Sequence, residues 1–154
     1  MAKYHQGKFV PKNKEKYIGK VLPTYRSSWE KTVFLECDNN PSILNWGSEC
    51  IQIKYIDPLT KKTRTYFPDI LMKYVDKYGK VITELVEIKP LSQTIMEKAK
   101  TKKNKAEVKK NHAKWNAALL WCRLNGVQFR ILTEKQIYGK SSRTRRNKKK
   151  WQEN

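Results

Sequence analysis

Two periods of apolar residues alternate along this chain and divide it into helical and extended segments. Trp29, Val33 and Cys37, with Phe34 beside them, recur at helical spacing after Ser27, a good N-cap, and Asn39-Asn40-Pro41 stops the run. After a short apolar connector, Ile43-Leu44-Asn45-Trp46, with Trp46 expected in the core, the period changes. Cys50 to Ile56 sets Ile51, Ile53 and Tyr55 against Gln52, Lys54 and Ile56, which predicts a half-buried strand. Turn chemistry from Asp57 to Lys62 leads into a second extended stretch, Thr63 to Tyr74. A third, Val81 to Ile88, follows Asp76-Lys77-Tyr78-Gly79-Lys80, so the three read as an antiparallel meander. Beyond Lys89-Pro90 the helical period returns. Val108, His112, Trp115, Leu119 and Cys122 mark one face, with a capping motif predicted between Asn104 and Glu107 and a stop at Asn125-Gly126. Val127 to Leu132 reads as a fourth strand.

The register of the meander brings chemistry together. With the turn centred near Tyr78, paired positions sum to about 156, which sets Asp69 opposite Glu87 with Cβ atoms roughly 5 Å apart. The period of two adds Lys89 to that face and sends Glu84 to the other. Two carboxylates so close repel each other unless a cation lies between them, and hard oxygen ligands favour Mg²⁺ or Mn²⁺. Pro68 within the second strand predicts an edge or a bulge that re-aims its neighbour Asp69. Glu107-Val108-Lys109 repeats the E-x-K spacing of Glu87-Ile88-Lys89, but on a helix those positions do not share a face. Glu30 has two readings: it completes a capping box with Ser27, or it reaches the metal from the first helical turn.

Charge names the class of partner. Against 14 acidic residues the chain carries 34 basic ones, a net charge of +20, so a polyanion is expected, with nucleic acid first. The basic residues gather in an N-terminal arm (1–24), along the second helix and in a C-terminal tail (136–154) expected to be disordered without nucleic acid; one folded domain (25–135) lies between. Lys102, Lys103, Lys105, Lys109 and Lys110 are expected to face phosphates, as are Arg143, Arg145 and Arg146 of the tail. No apolar run reaches the roughly 18 residues of a membrane-spanning helix, so no membrane partner is expected. The start of the chain lacks an apolar signal-peptide core, which leads us to expect a cytoplasmic protein. Cys37, Cys50 and Cys122, odd in number and widely spaced, read as buried thiols rather than as disulfides or zinc ligands.

Helix, three-strand meander, helix, strand is an αβββαβ order, and the chain resembles the PD-(D/E)xK nuclease superfamily through Pro68-Asp69, Glu87-Ile88-Lys89 and Glu30. More narrowly, Tyr25 to Glu30, Tyr66 to Asp69, Glu87 to Pro90 and Ala113 to Cys122 resemble the head-completion nucleases of T-even-like tailed phages, a family related to the TnsA-type transposon endonucleases. The resemblance implies a restriction-endonuclease-like α/β (α+β) fold with a mixed, mostly antiparallel sheet flanked by helices. It also implies Mg²⁺, for which Mn²⁺ substitutes, at Glu30, Asp69, Glu87 and Ile88. Lys89 then orients the attacking water or stabilises charge at the phosphate, and Arg26 and Ser28 join the DNA-binding positions. The implied role is hydrolysis of DNA phosphodiesters at packaged ends before the tail joins. Phage head or neck proteins are the implied partners; the host cytoplasm during assembly, then the virion head or neck, the implied locations. The alternative is a structural head protein that keeps the fold and binds DNA without cutting it. A ribosomal-type RNA-binding module is disfavoured, since most aromatics fall on apolar faces.

Overall fold

The structure, a computed structural model, describes residues 6–137; Arg143, Arg145, Arg146 and the rest of the tail lie outside the described residues. The first two strands are short: β1 (Gly7–Lys8) and β2 (Thr24–Tyr25) pair antiparallel. Helix α1 (Ser28–Asn39) follows. Then come β3 (Ile43–Ser48), β4 (Ile53–Ile56), β5 (Thr63–Tyr66), β6 (Ile70–Val75) and β7 (Val81–Ile88). Helix α2 (Lys102–Asn125) and β8 (Gln128–Leu132) complete the order. The middle layer is a sheet ordered β3-β6-β7-β8, in which β8 runs parallel to β7 and the other neighbours are antiparallel. This is the mixed, mostly antiparallel sheet flanked by helices that the sequence led us to expect.

Alternation along the strands builds two cores. Met72, Val86, Ile88 and Leu132 turn to one face and pack with Val33, Phe34 and Cys37 of α1. Leu71, Leu85, Phe129 and Ile131 turn to the other and meet Trp115, Ala118 and Cys122 of α2. Parity along β7 therefore decides which side of the molecule a residue serves.

Between Ile43 and Tyr74 the strands differ from the expected meander. The apolar connector after α1 is the strand β3, and Trp46 within it is fully buried as expected. The stretch from Thr63 to Tyr74 is two strands, because Pro68 has no N–H to give a ladder and Phe67-Pro68-Asp69 leaves the sheet. Hence β4 and β5 form a separate hairpin, and β3 takes the place in the meander predicted for Cys50–Ile56. Ile53 and Tyr55 are buried all the same, against α2 rather than within the central sheet.

Helix α2 also starts earlier than the pattern suggested. Its N-cap is Thr101, whose hydroxyl accepts the Asn104 N–H at 3.0 Å, so Asn104 lies inside the first turn. The buried face is Val108, Asn111, Trp115, Ala118 and Cys122. Leu119 and His112 are exposed. Asn111 is tolerated inside because its amide donates to the Gln93 carbonyl at 3.1 Å, while the His112 ring Nε2 lies 2.8 Å from the Thr94 carbonyl. Gly126 ends the helix at φ +67°, a conformation glycine adopts at little cost. Cys37 and Cys122 are buried as expected, but Cys50, on the turn after β3, is exposed.

The N-terminal arm lies on this framework. Phe9 is buried among Phe34 and Trp46, and the buried Asp38 carboxylate accepts the main-chain N–H groups of Lys12 and Asn13 at 2.9 and 3.0 Å.

Candidate active site

The β6–β7 hairpin fixes the site. Its register pairs Ile70 with Val86, Leu71 with Leu85 and Val75 with Val81, so every pair sums to 156 as the turn chemistry predicted. The turn is closed by Asp76, whose Oδ1 accepts the N–H groups of Tyr78 and Lys80 at 2.9 Å, and by Gly79 at φ +82°. Continued by one residue, the register sets Asp69, just before β6, across from Glu87. The Asp69 carboxylate is tied there, with Oδ2 accepting the Ile88 N–H at 2.7 Å. Ile88 thus enters the site through its main chain, while its side chain is buried on the α1 face.

Glu87 is buried at 3% exposure, and its Oε1 has no hydrogen-bond partner. Its other oxygen stands 4.0 Å from the Lys89 ammonium. Asp69 keeps part of its surface open while its carboxyl group sits deep among packed atoms. Burial first, and then the charge of Glu87, raise its pKa well above the ordinary carboxylate value.

Glu30 approaches around the end of the sheet from the first turn of α1. Its N–H donates to Ser27 Oγ at 3.2 Å, and its Oε2 accepts from the same hydroxyl at 3.3 Å. Burial and then the Asp69 charge raise its pKa. Glu30 is therefore both a cap residue and an electrostatic neighbour of Asp69. Among the described residues, no three acidic, histidine or cysteine side chains converge into a ready-made metal cage. Asp69 and Glu87, one partly open and the other with an orphaned buried oxygen, still fit a hard divalent cation. Mg²⁺ is commonly held by one or two carboxylates, with water and substrate phosphate completing its shell.

The other expected residues are placed as follows. Lys102, Lys103, Lys105 and Lys109 are exposed on the first half of α2, and Lys110 is half-buried beside them. Arg26 is exposed but ion-paired with Glu49, whose own N–H donates to the Asp69 carbonyl at 3.0 Å. Ser28 begins α1, and its carbonyl accepts from Thr32. Glu84 faces away from Glu87 as expected; it pairs with Arg130 at 2.8 Å and accepts from the Tyr74 hydroxyl at 3.2 Å.

Tyr66 and Lys114, which feel the charge of Glu87, and Trp115 beside Tyr66 were not foreseen as site residues. Tyr66 and Trp115 bury a hydroxyl and an indole N–H that have no hydrogen-bond partner. Burial, and then the charge of Glu87, push the Tyr66 hydroxyl far up. Lys114 extends over the rings of Tyr55 and Tyr66 and lies within the field of Lys89 and Glu87. The available signal was the i, i+4 spacing of Lys110 and Lys114 beside a core tryptophan, which places a cation where the helix meets the sheet.

A mixed four-stranded sheet with a helix on each face, carrying paired carboxylates at its end, is the restriction-endonuclease-like fold of nucleases. The chain belongs to the TnsA-like endonuclease family, whose N-terminal domain it matches over residues 40–134. It is 40% identical over 141 residues to the head completion nuclease of Enterobacteria phage T4, an alignment covering 84% of this chain and 91% of that protein.

Proposed function

We propose that this nuclease is a Mg²⁺-dependent DNA endonuclease that trims packaged DNA ends during phage head completion, before the tail joins. The observation that carries the reading is the Asp69–Glu87 pair, two carboxylates packed together where β6 begins and β7 ends, with Lys89 beside Glu87. A pure binder of polyanions has no use for such a pair. Asp69 and Glu87 would hold the metal, the Ile88 N–H keeps the Asp69 carboxylate in place, and Glu30 adds negative charge from the helix side. A divalent ion held there would supply positive charge against the charge that gathers on the phosphate oxygens. Lys89 adds a positive contact to the same phosphate. Water attacks phosphorus in line, the P–O3′ bond breaks, and the products are a 5′-phosphate and a 3′-hydroxyl. Lys102, Lys103, Lys105, Lys109 and Lys110 supply sequence-independent attraction to the DNA backbone. Phage head or neck proteins would place the enzyme at the packaged end, first in the host cytoplasm and then in the virion head or neck.

The test is nicking and linearisation of supercoiled plasmid with Mg²⁺ or Mn²⁺, comparing wild type, Asp69→Ala and Lys89→Ala. Metal-dependent cutting lost in both variants is expected. DNA binding without cutting in all three would reduce the protein to a DNA-binding component of the head.

A further inference from the structure

Lys114 is a half-buried cation that the nuclease reading leaves without a task. Among the described residues it makes no ion pair, although removing an ammonium group from water is costly without a counter-charge. It is held instead by aromatic faces: its Nζ lies 5.9 Å from the centroid of Tyr55 and 5.7 Å from that of Tyr66. Those two rings come from β4 and β5, the hairpin that stands outside the central sheet and packs on α2. The hairpin thus forms a shelf that aims one lysine of α2 at the site. Glu87 is not free to neutralise it fully, because Lys89 already stands 4.0 Å from that carboxylate. Burial and the neighbouring Lys89 lower the Lys114 pKa, as expected of two ammonium groups that share one anion.

Helical spacing extends the pattern. Lys103, Lys110 and Lys114 follow one another at i, i+7 and i+11, which places them along one side of α2 leading from its exposed start towards Glu87. A row of cations ending in a half-buried one beside paired carboxylates matches a nucleic-acid backbone whose last contacted phosphate is the one to be cut.

We infer that Lys114 is a further catalytic residue, a second cation that grips a non-bridging oxygen of the scissile phosphate from the α2 side, opposite Lys89. The inference rests on the nuclease reading and assigns to that site a residue on an element outside the hairpin that carries Asp69 and Glu87. Lys114 then acts on the rate of cutting, whereas Lys103 and Lys109 act on affinity.

The experiment compares single-turnover cleavage of duplex DNA by wild type, Lys114→Met, Lys114→Arg and a Lys103→Met/Lys109→Met double variant of the full chain. Methionine keeps the stem over the two rings and removes the charge; thermal midpoints are read alongside. Lys114→Met should lower the rate at saturating DNA by about 10²-fold, in the range of a lost charge-stabilising donor, while DNA affinity changes by no more than about threefold. Lys114→Arg should recover part of that rate. The double variant should weaken binding and flatten the dependence of log affinity on log salt by about 0.9 per lost phosphate contact. If Lys114→Met cuts at the wild-type rate while wild type needs Asp69, this inference is overturned and the nuclease reading stands. If wild type binds DNA but cuts under no divalent ion, both fall together.

Discussion

Replacing Asp69 by asparagine should stabilise the metal-free protein while abolishing its activity. In the folded state Asp69, one residue before β6, is tied to the Ile88 N–H next to Glu87, and burial and then the Glu87 charge raise its pKa. Two unit charges roughly 5 Å apart at an effective dielectric constant near 20 repel by about 3 kcal/mol. The attraction of Asp69 to Lys89 offsets part of this, and asparagine loses that attraction as well. Asparagine still accepts the Ile88 N–H, and its own amide can donate to the orphaned Glu87 Oε1. The net expectation is a gain of about 1–2 kcal/mol, or roughly 3–6 °C in thermal midpoint for a domain of this size. The pH dependence has a definite sign. Because the folded-state pKa is raised, the native protein binds more protons than the unfolded chain above the ordinary aspartate range. Wild-type stability therefore falls as pH rises through that window, and the advantage of Asp69→Asn should be larger at about pH 8 than at about pH 5. Differential scanning calorimetry in EDTA reads both quantities. Saturating Mg²⁺ should close or reverse the gap, since binding to the native state alone stabilises only a chain that still holds the ion. An Asp69→Asn protein melting at or below wild type in EDTA at about pH 8 would refute the reasoning, because the carboxylates would then not be in conflict.

Other sites yield simpler expectations. Glu84→Gln should leave cleavage intact, because Glu84 faces α1, but should lower stability by about 1–3 kcal/mol through loss of its pairing with Arg130, measurable by urea titration. Asn111→Ala removes the bond to the Gln93 carbonyl and should cost about 1–2 kcal/mol. Hydrogen exchange should then quicken in the 91–99 segment that borders α2. Gly126→Ala forces a side chain into a left-handed cap at φ +67° and should lower the thermal midpoint by about 2–4 °C, with no change in the rate of cutting.

The hairpin register was legible because turn chemistry is local: Asp76 and Gly79 fix the centre, and counting outward from them reaches Asp69 and Glu87 without any knowledge of the rest of the fold. The ends of α1 were legible for the same reason. The break at Pro68 was read as an edge or a bulge rather than as a change of sheet, because a proline reports a missing donor and not where the chain goes next. The β3 strand was missed since Ile43-Leu44-Asn45-Trp46 is short and its alternation is incomplete; only its partner β6 makes it a strand. On α2, a leucine at 119 and a histidine at 112 fitted the apolar period better than the asparagine and alanine that face the core. Their burial depends on Gln93 and on how closely the helix approaches the sheet, neither of which is written in the helix itself. Lys114 was hidden among many lysines, and the two rings that single it out come from a hairpin distant in sequence.

The parallel pairing of β8 with β7 has a consequence for when the protein can act. Glu87 lies opposite Ile131, and the N–H of Lys89 donates to the carbonyl of Leu132 at 2.9 Å, so the backbone carrying both residues is set by a strand made some forty residues later. A chain still being translated, with α2 emerged but β8 not yet made, already has its basic helix and every acidic residue of the site. It lacks the strand against which Glu87 and Lys89 are lined up. If Glu87 and Lys89 act as proposed, attraction to nucleic acid would precede the ability to cut it during synthesis, because the strand that lines them up is made after the basic helix.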